Sequence, residues 1–125
     1  MRIAPAPLAL ASASLLLVAC GKSPEATVEA FYLAVGKGEI TEAKRYLSPQ
    51  VTEMLPDAKL TAALSAEASR VQNCGGIKAI EVALTGEGEI RSGTATIDYR
   101  GECPRKTEKV KLVKVEGQWR LGAGK

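Results

Sequence analysis

The spacing of apolar positions changes once along the chain, from helical to alternating. Val28, Phe31, Tyr32 and Val35 fall at i, i+3, i+4 and i+7, which predicts a helix from about Pro24 to Lys37 with one apolar face. Ser23 stands at its N-cap, Pro24 at the first helical position, and Glu25 where an acid suits the helix dipole. Gly36 and Gly38 end it. Thr41 is placed to cap a second, short helix whose Ala43 and Leu47 face inward beside Ile40, and Ser48-Pro49 both stops that helix and restarts the chain. Pro56-Asp57 marks another break, after which Leu60, Leu64 and Val71 predict a third, alanine-rich helix to about Gln72.

After Cys74-Gly75-Gly76 the period is two. Ile80, Val82 and Leu84 alternate with charged or small residues up to the turn Gly86-Glu87-Gly88, and Ala95, Ile97 and Tyr99 alternate with Thr94, Thr96 and Asp98 in a second strand. A third strand runs from about Thr107 to Val115. There Val110 and Leu112 share one face while Val113 and Val115 take the other, which predicts a bulge or a change of buried face near Leu112. Glu116-Gly117 turns the chain into a last strand from Gln118 to Leu121. The fold class is therefore α+β: three helices followed by a four-stranded antiparallel meander.

Composition changes the picture at the N-terminus. The chain has 125 residues, a formal charge of +3, three cysteines and no histidine. It is one small domain, without the usual neutral-pH proton shuttle or the commonest metal ligand, so Ser-His hydrolases and most zinc enzymes are excluded. Arg2 is followed by an apolar run from Ile3 to Ala19, interrupted by Pro5 and Pro7, which suits a secretory signal better than a spanning helix. Leu17-Val18-Ala19-Cys20 resembles the lipobox of bacterial lipoproteins.

That resemblance implies cleavage before Cys20, a diacylglycerol on its thiol, and usually an acyl group such as palmitate on the new amine. Several acyl chains at about 0.8 kcal/mol per buried methylene make a permanent anchor. Residues 1–19 are then a signal peptide, 20–23 the lipidated cysteine and a short tether, and 24–125 the domain. Gly21, where an aspartate would hold a Gram-negative lipoprotein at the inner membrane, implies the periplasmic face of the outer membrane. Export leaves Cys74 and Cys103 as an even pair in an oxidising compartment, where a structural disulfide is expected. Such a bond contributes roughly 3.6 kcal/mol on the chain-entropy model. A redox or metal-binding pair is the alternative, but it lacks both CxxC spacing and a histidine companion.

The helix Val28-Glu29-Ala30-Phe31-Tyr32-Leu33-Ala34-Val35, the Gly38-Glu39 turn, the short helix through Ala43 to Leu47 and the closing hairpin Val115-Glu116-Gly117-Gln118-Trp119-Arg120-Leu121 resemble the nuclear-transport-factor-2-like (NTF2-like) superfamily. Within it the chain is most similar to small bacterial lipoproteins whose domain, DUF4878, has no assigned function. The resemblance implies a cone, shared in outline with cystatin-like and SnoaL/ketosteroid-isomerase-like domains: a curved sheet wrapped round helices, with a cavity at the open end.

Tyr32 resembles the cavity tyrosine of ketosteroid isomerase, a hydrogen-bond donor to a developing oxyanion. An isomerase or dehydratase would pair it with Glu53 or Asp98, yet neither matches that enzyme's pattern, and core packing with the hydroxyl at the rim is the simpler reading of Tyr32. Tyr99 and Trp119 are strand aromatics that could line the cavity or fill the core. From Arg100 to Lys125 there are eight basic and three acidic residues. Arg105, Lys106, Lys109, Lys111 and Lys114 gather on one loop and strand, where they could meet an anionic surface or simply discourage edge-to-edge aggregation.

The expectation is a non-catalytic, lipid-anchored binding or scaffold module with no cofactor, no metal and no catalytic residue. Its partners are the membrane, through Cys20, and either a small apolar ligand or an envelope protein, not nucleic acid. The alternatives are the isomerase-like enzyme and a purely structural envelope protein. Cavity contents separate them: an open pocket where Tyr32 and a carboxylate converge on a common point favours catalysis, an open apolar pocket favours binding, and a filled cone favours structure.

Overall fold

The computed structural model describes residues 21–123; Cys20 and the apolar run before it lie outside that range. Four helices precede four strands: α1 Pro24–Gly36, α2 Ile40–Arg45, α3 Pro49–Met54, α4 Asp57–Asn73, then β1 Ile77–Thr85, β2 Ile90–Tyr99, β3 Lys106–Val115 and β4 Gln118–Leu121. The strands form one antiparallel sheet in the order β1-β2-β3-β4. Helix α1 packs against both β1 and β4, the two opposite edges of that sheet, so the sheet curls around the helix, as the cone expectation requires. Gly93 marks a close approach of β1 and β2: a Cβ there would sit 1.8 Å from the Ala83 carbonyl oxygen.

The start of α1 is as the sequence predicts. Ser23 Oγ accepts from Ala26 N at 3.1 Å, Pro24 follows it, and Val28, Tyr32 and Val35 are buried. In α4, Leu60, Leu64, Ala68 and Val71 are buried on one stripe, which packs against α1. Inward positions of the sheet complete the core, with Ala95, Ile97, Val110, Leu112 and Leu121 buried.

Two expectations need correcting, and a third resolves to one of its two alternatives. There are four helices, not three, because Ser48-Pro49 starts a helical turn as well as ending one: the Ser48 side chain caps α3 and Pro49 supplies its first residue. That helix buries no residue, so it carries no apolar stripe to reveal it. Thr41 does not cap α2, which begins one residue earlier, at Ile40, with no side-chain cap. Of the two readings of β3, a bulge and a change of buried face near Leu112, the second holds: pairing with β2 is continuous from Ile90 with Val113 to Ile97 with Lys106, and burial passes from Val110 and Leu112 to Val113 and Val115 on the other face. Val113 lies on the outer face opposite Arg120, half-buried there, and the only shift in register falls in β1, between Ile77 and Ala79.

Cys74, at the end of α4, is joined to Cys103 in the β2–β3 loop. Beside the bond Gly101 N donates to Cys74 O at 2.8 Å and Arg100 N to Gly76 O at 2.9 Å. Gly75 has a φ of 86° and lies so near Gly101 that a Cβ would meet its nitrogen at 2.7 Å, so glycine is required for this contact. At the other edge, Leu121 N donates to Tyr46 O and Ser48 N to Leu121 O, covering the free side of β4.

Candidate functional site

The interior cleft of the cone lies between α1, α4 and β3. Phe31, Tyr32, Val35, Leu64, Glu67 and Glu108 line it, and it encloses about 220 Å³. Tyr32 comes from the buried stripe of α1. Glu108 reaches the cleft because β3 alternates: Val110 and Leu112 point into the core, so Glu108 and Lys106 share their face. Glu67 lies three residues after Leu64 and four before Val71, on the inward side of α4.

These groups form a continuous polar chain. Tyr32 donates its hydroxyl hydrogen to Glu108 Oε1 at 2.6 Å, and Lys106 Nζ lies 2.8 Å from Glu108 Oε2. Lys106 is also 4.0 Å from Glu67, and Arg70 donates to Glu67 at 2.6 Å and to the Tyr99 hydroxyl at 2.9 Å. The Arg70 guanidinium stands over the Tyr99 ring, 5.5 Å from its centre. Burial, and then the bond to Glu108, push the Tyr32 hydroxyl far above its ordinary pKa, so it stays a donor. Burial pushes Glu108 up, but hydrogen bonds from Lys106 and Tyr32 outweigh it and hold the carboxyl below its ordinary value. Lys106 is raised by its bond to Glu108, and Arg70 by its bond to Glu67.

Tyr32 and Tyr99 thus meet on one network, and its carboxylates are Glu108 and Glu67. Glu53 is exposed on α3, and Asp98 points to the outer face of the sheet, where Arg105 donates to it at 2.7 Å. Neither reaches the cleft. Trp119 does not line it either: it lies against Arg91 and Lys114, on the residues that flank the β1–β2 and β3–β4 turns. The basic residues from Arg105 to Lys114 do not form one patch, because alternation divides them. Lys106 and Lys114 take the inner face, while Lys109 and Lys111 border an outer depression of about 410 Å³ with Ile90, Ser92 and Thr94. Glu67, Arg70 and Glu108 escape a motif search, but the apolar parity of β3 and the stripe of α4 mark them as inward. Among the described residues no cluster of three or more Cys, Asp or Glu could hold a metal, and no helix is long and apolar enough to cross a membrane.

The family described as Domain of unknown function (DUF4878) matches residues 18–122. The chain belongs to this family. Among solved structures, the DUF4878 domain is similar to a Campylobacter jejuni protein provisionally named an NTF2-like transpeptidase. That match has a TM-score of 0.70 and 17% identity, and covers 82% of this chain and 99% of that one. A SEC-C motif containing protein from Rhodopseudomonas palustris matches with a TM-score of 0.58 and 15% identity, covering 82% of this chain and 77% of that one. At these identities the likeness is one of fold alone: a curled antiparallel sheet wrapped round helices. No curated protein matches.

Proposed function

We propose that this DUF4878 protein is a non-catalytic scaffold or binding module, held on the periplasmic face of the outer membrane by an acyl anchor at Cys20, with a cone interior closed on itself. One observation carries the reading: the polar groups of the cleft satisfy one another. Tyr32, the natural oxyanion donor, points its proton at Glu108, and Glu108, the nearest base, is held ionised by Lys106. A carboxylate whose pKa is depressed is a weak general base at neutral pH. A cleft of about 220 Å³ is also below the roughly 300–1,000 Å³ usual for ligand pockets. The Cys74–Cys103 bond suits an oxidising compartment, and the lipobox-like Leu17-Val18-Ala19-Cys20 supplies the anchor.

Catalysis is the second reading, and the pairing of Tyr32 with a carboxylate on a cleft wall is the observation in its favour. The two groups bind each other, however, and do not converge on a shared empty point. The transpeptidase name of the Campylobacter protein transfers poorly: acyl transfer needs an activated nucleophile, whereas no serine, threonine or cysteine lines the cleft and Cys74 and Cys103 are bonded together.

Native mass spectrometry of the protein extracted from its host's membranes tests both parts of the proposal. The expected mass is that of the chain from Cys20 onward plus acyl groups, with no phosphate-free small molecule retained. A full-length precursor without acyl groups would overturn the anchor, and a retained small molecule that carries no phosphate group would overturn the closed interior.

A further inference from the structure

Leu112 is fully buried and is paired with Arg91 on one side and Leu121 on the other, so Arg91 projects onto the inner face of the sheet. Lys114 and Trp119, each two residues from one of those leucines and paired with each other, project there too. The three side chains meet. The Arg91 guanidinium carbon is 4.9 Å from the centre of the indole, and Lys114 Nζ is 5.5 Å from it. Two cations therefore share one aromatic ring.

Among the described residues neither cation has a carboxylate within ion-pair distance. The acids of the adjoining turns, Glu87, Glu89 and Glu116, are exposed. Arg91 Nε is buried and meets no acceptor among the described residues. The sealed Nε is itself out of a ligand's reach, but the terminal guanidinium nitrogens are not sealed and have no acceptor among the described residues, so beside a second unpaired cation they can meet an anion from outside the chain. The indole attracts both cations but accepts few of their hydrogens, whereas a phosphate carries the oxygens that the guanidinium fork and a mobile ammonium bind together.

We propose that Arg91, Lys114 and Trp119 form a binding site for a phosphate group. The site is separate from the Tyr32 cleft, and the proposal does not depend on the anchor. Two sources share this chemistry: a soluble phosphate and the headgroup of an anionic phospholipid. Gly21 and Lys22 line a cleft with Gln118 and Arg120, which alternation puts on the face of β4 opposite to Trp119, so the path of the N-terminus favours neither source and the two arms of the experiment separate them.

Trp119 is the only tryptophan of the chain, so its fluorescence reports on the site directly. The experiment uses the protein purified from its host in neutral detergent, titrated with sodium phosphate against sodium chloride at matched ionic strength. The same protein is then reconstituted into vesicles of phosphatidylglycerol or of phosphatidylcholine. The expected result is a saturable change in Trp119 emission with phosphate, or one seen in phosphatidylglycerol and not phosphatidylcholine; the first identifies a soluble ligand and the second a headgroup. Arg91→Gln and Lys114→Gln should each weaken the response about tenfold, while Lys109→Gln, on the outer face, leaves it unchanged. Near-ultraviolet circular dichroism verifies that each variant is folded. No response in either arm, or one that survives both site substitutions or falls equally with Lys109→Gln, would overturn the proposal.

Discussion

The two polar clusters on the inner face of the sheet are built from similar residues and differ in one respect. Toward the disulfide, Tyr32, Glu108, Lys106, Glu67, Arg70 and Tyr99 are linked by contacts of 2.6 to 4.0 Å, and each cation has an acid beside it. Toward the β1–β2 and β3–β4 turns, Arg91 and Lys114 share an indole and have no acid. A closed network stabilises a fold and leaves nothing over for a ligand. An open one does little for stability and keeps its hydrogen-bonding capacity for something else. The position that first attracts attention in the sequence, Tyr32, belongs to the closed cluster.

The largest expected effect is at the closed end. Replacing both Cys74 and Cys103 with serine should lower the unfolding free energy by roughly 3.6 kcal/mol on the chain-entropy model, measured by urea denaturation. Non-reducing peptide mapping should find the two cysteines in one peptide pair, and two free thiols in protein isolated from its host under alkylating conditions would contradict the assignment. Tyr32→Phe comes next, at about 1.5 kcal/mol, because it deletes a hydrogen bond to a charged group and leaves that carboxylate one donor short.

Acidification has a smaller effect of definite sign. Glu108 is held below its ordinary pKa, so its folded carboxyl protonates at lower pH than its unfolded one. The stability it contributes is complete above the ordinary carboxylate range and is lost as the pH falls through the folded value. Glu108→Gln should therefore flatten the decline of stability with acid, which urea midpoints from pH 7 to pH 3 would show. Tyr32 has the opposite shift: its contribution is complete below the ordinary tyrosine pKa and disappears as the pH rises beyond it. Arg91→Met should have the smallest effect, within about 0.5 kcal/mol in thermal or urea unfolding, since the thioether keeps the aliphatic packing and no acid is left without a partner. A loss as large as that of Tyr32→Phe would remove the contrast between the two ends.

Much of the fold was legible because the apolar periods are clean. The α1 stripe of Val28, Tyr32 and Val35, the α4 stripe of Leu60, Leu64 and Val71, and the alternation of Ala95, Ile97 and Tyr99 all bury as their spacing requires. Helix α3 was illegible because it is a single capped turn that buries nothing. The candidate site was only half legible. Tyr32 and Tyr99 stand out as aromatics in a chain that has few, whereas Glu108 and Lys106 look like solvent-facing charges until Val110 and Leu112 fix the parity of β3. Treating Arg105 to Lys114 as one basic group ignored that parity, and Val113 and Val115 obscured it by placing apolar residues on the outer face.

The measurement that bears most directly on the closed cluster is a double-mutant cycle on Tyr32→Phe and Glu108→Gln, followed by urea denaturation. If the pair is structural, each substitution alone destabilises the fold and the double variant loses less than the sum, with a coupling of about 1 kcal/mol or more. Additive effects within about 0.3 kcal/mol, or single variants as stable as the parent, would contradict the claim that this pair holds the cone together.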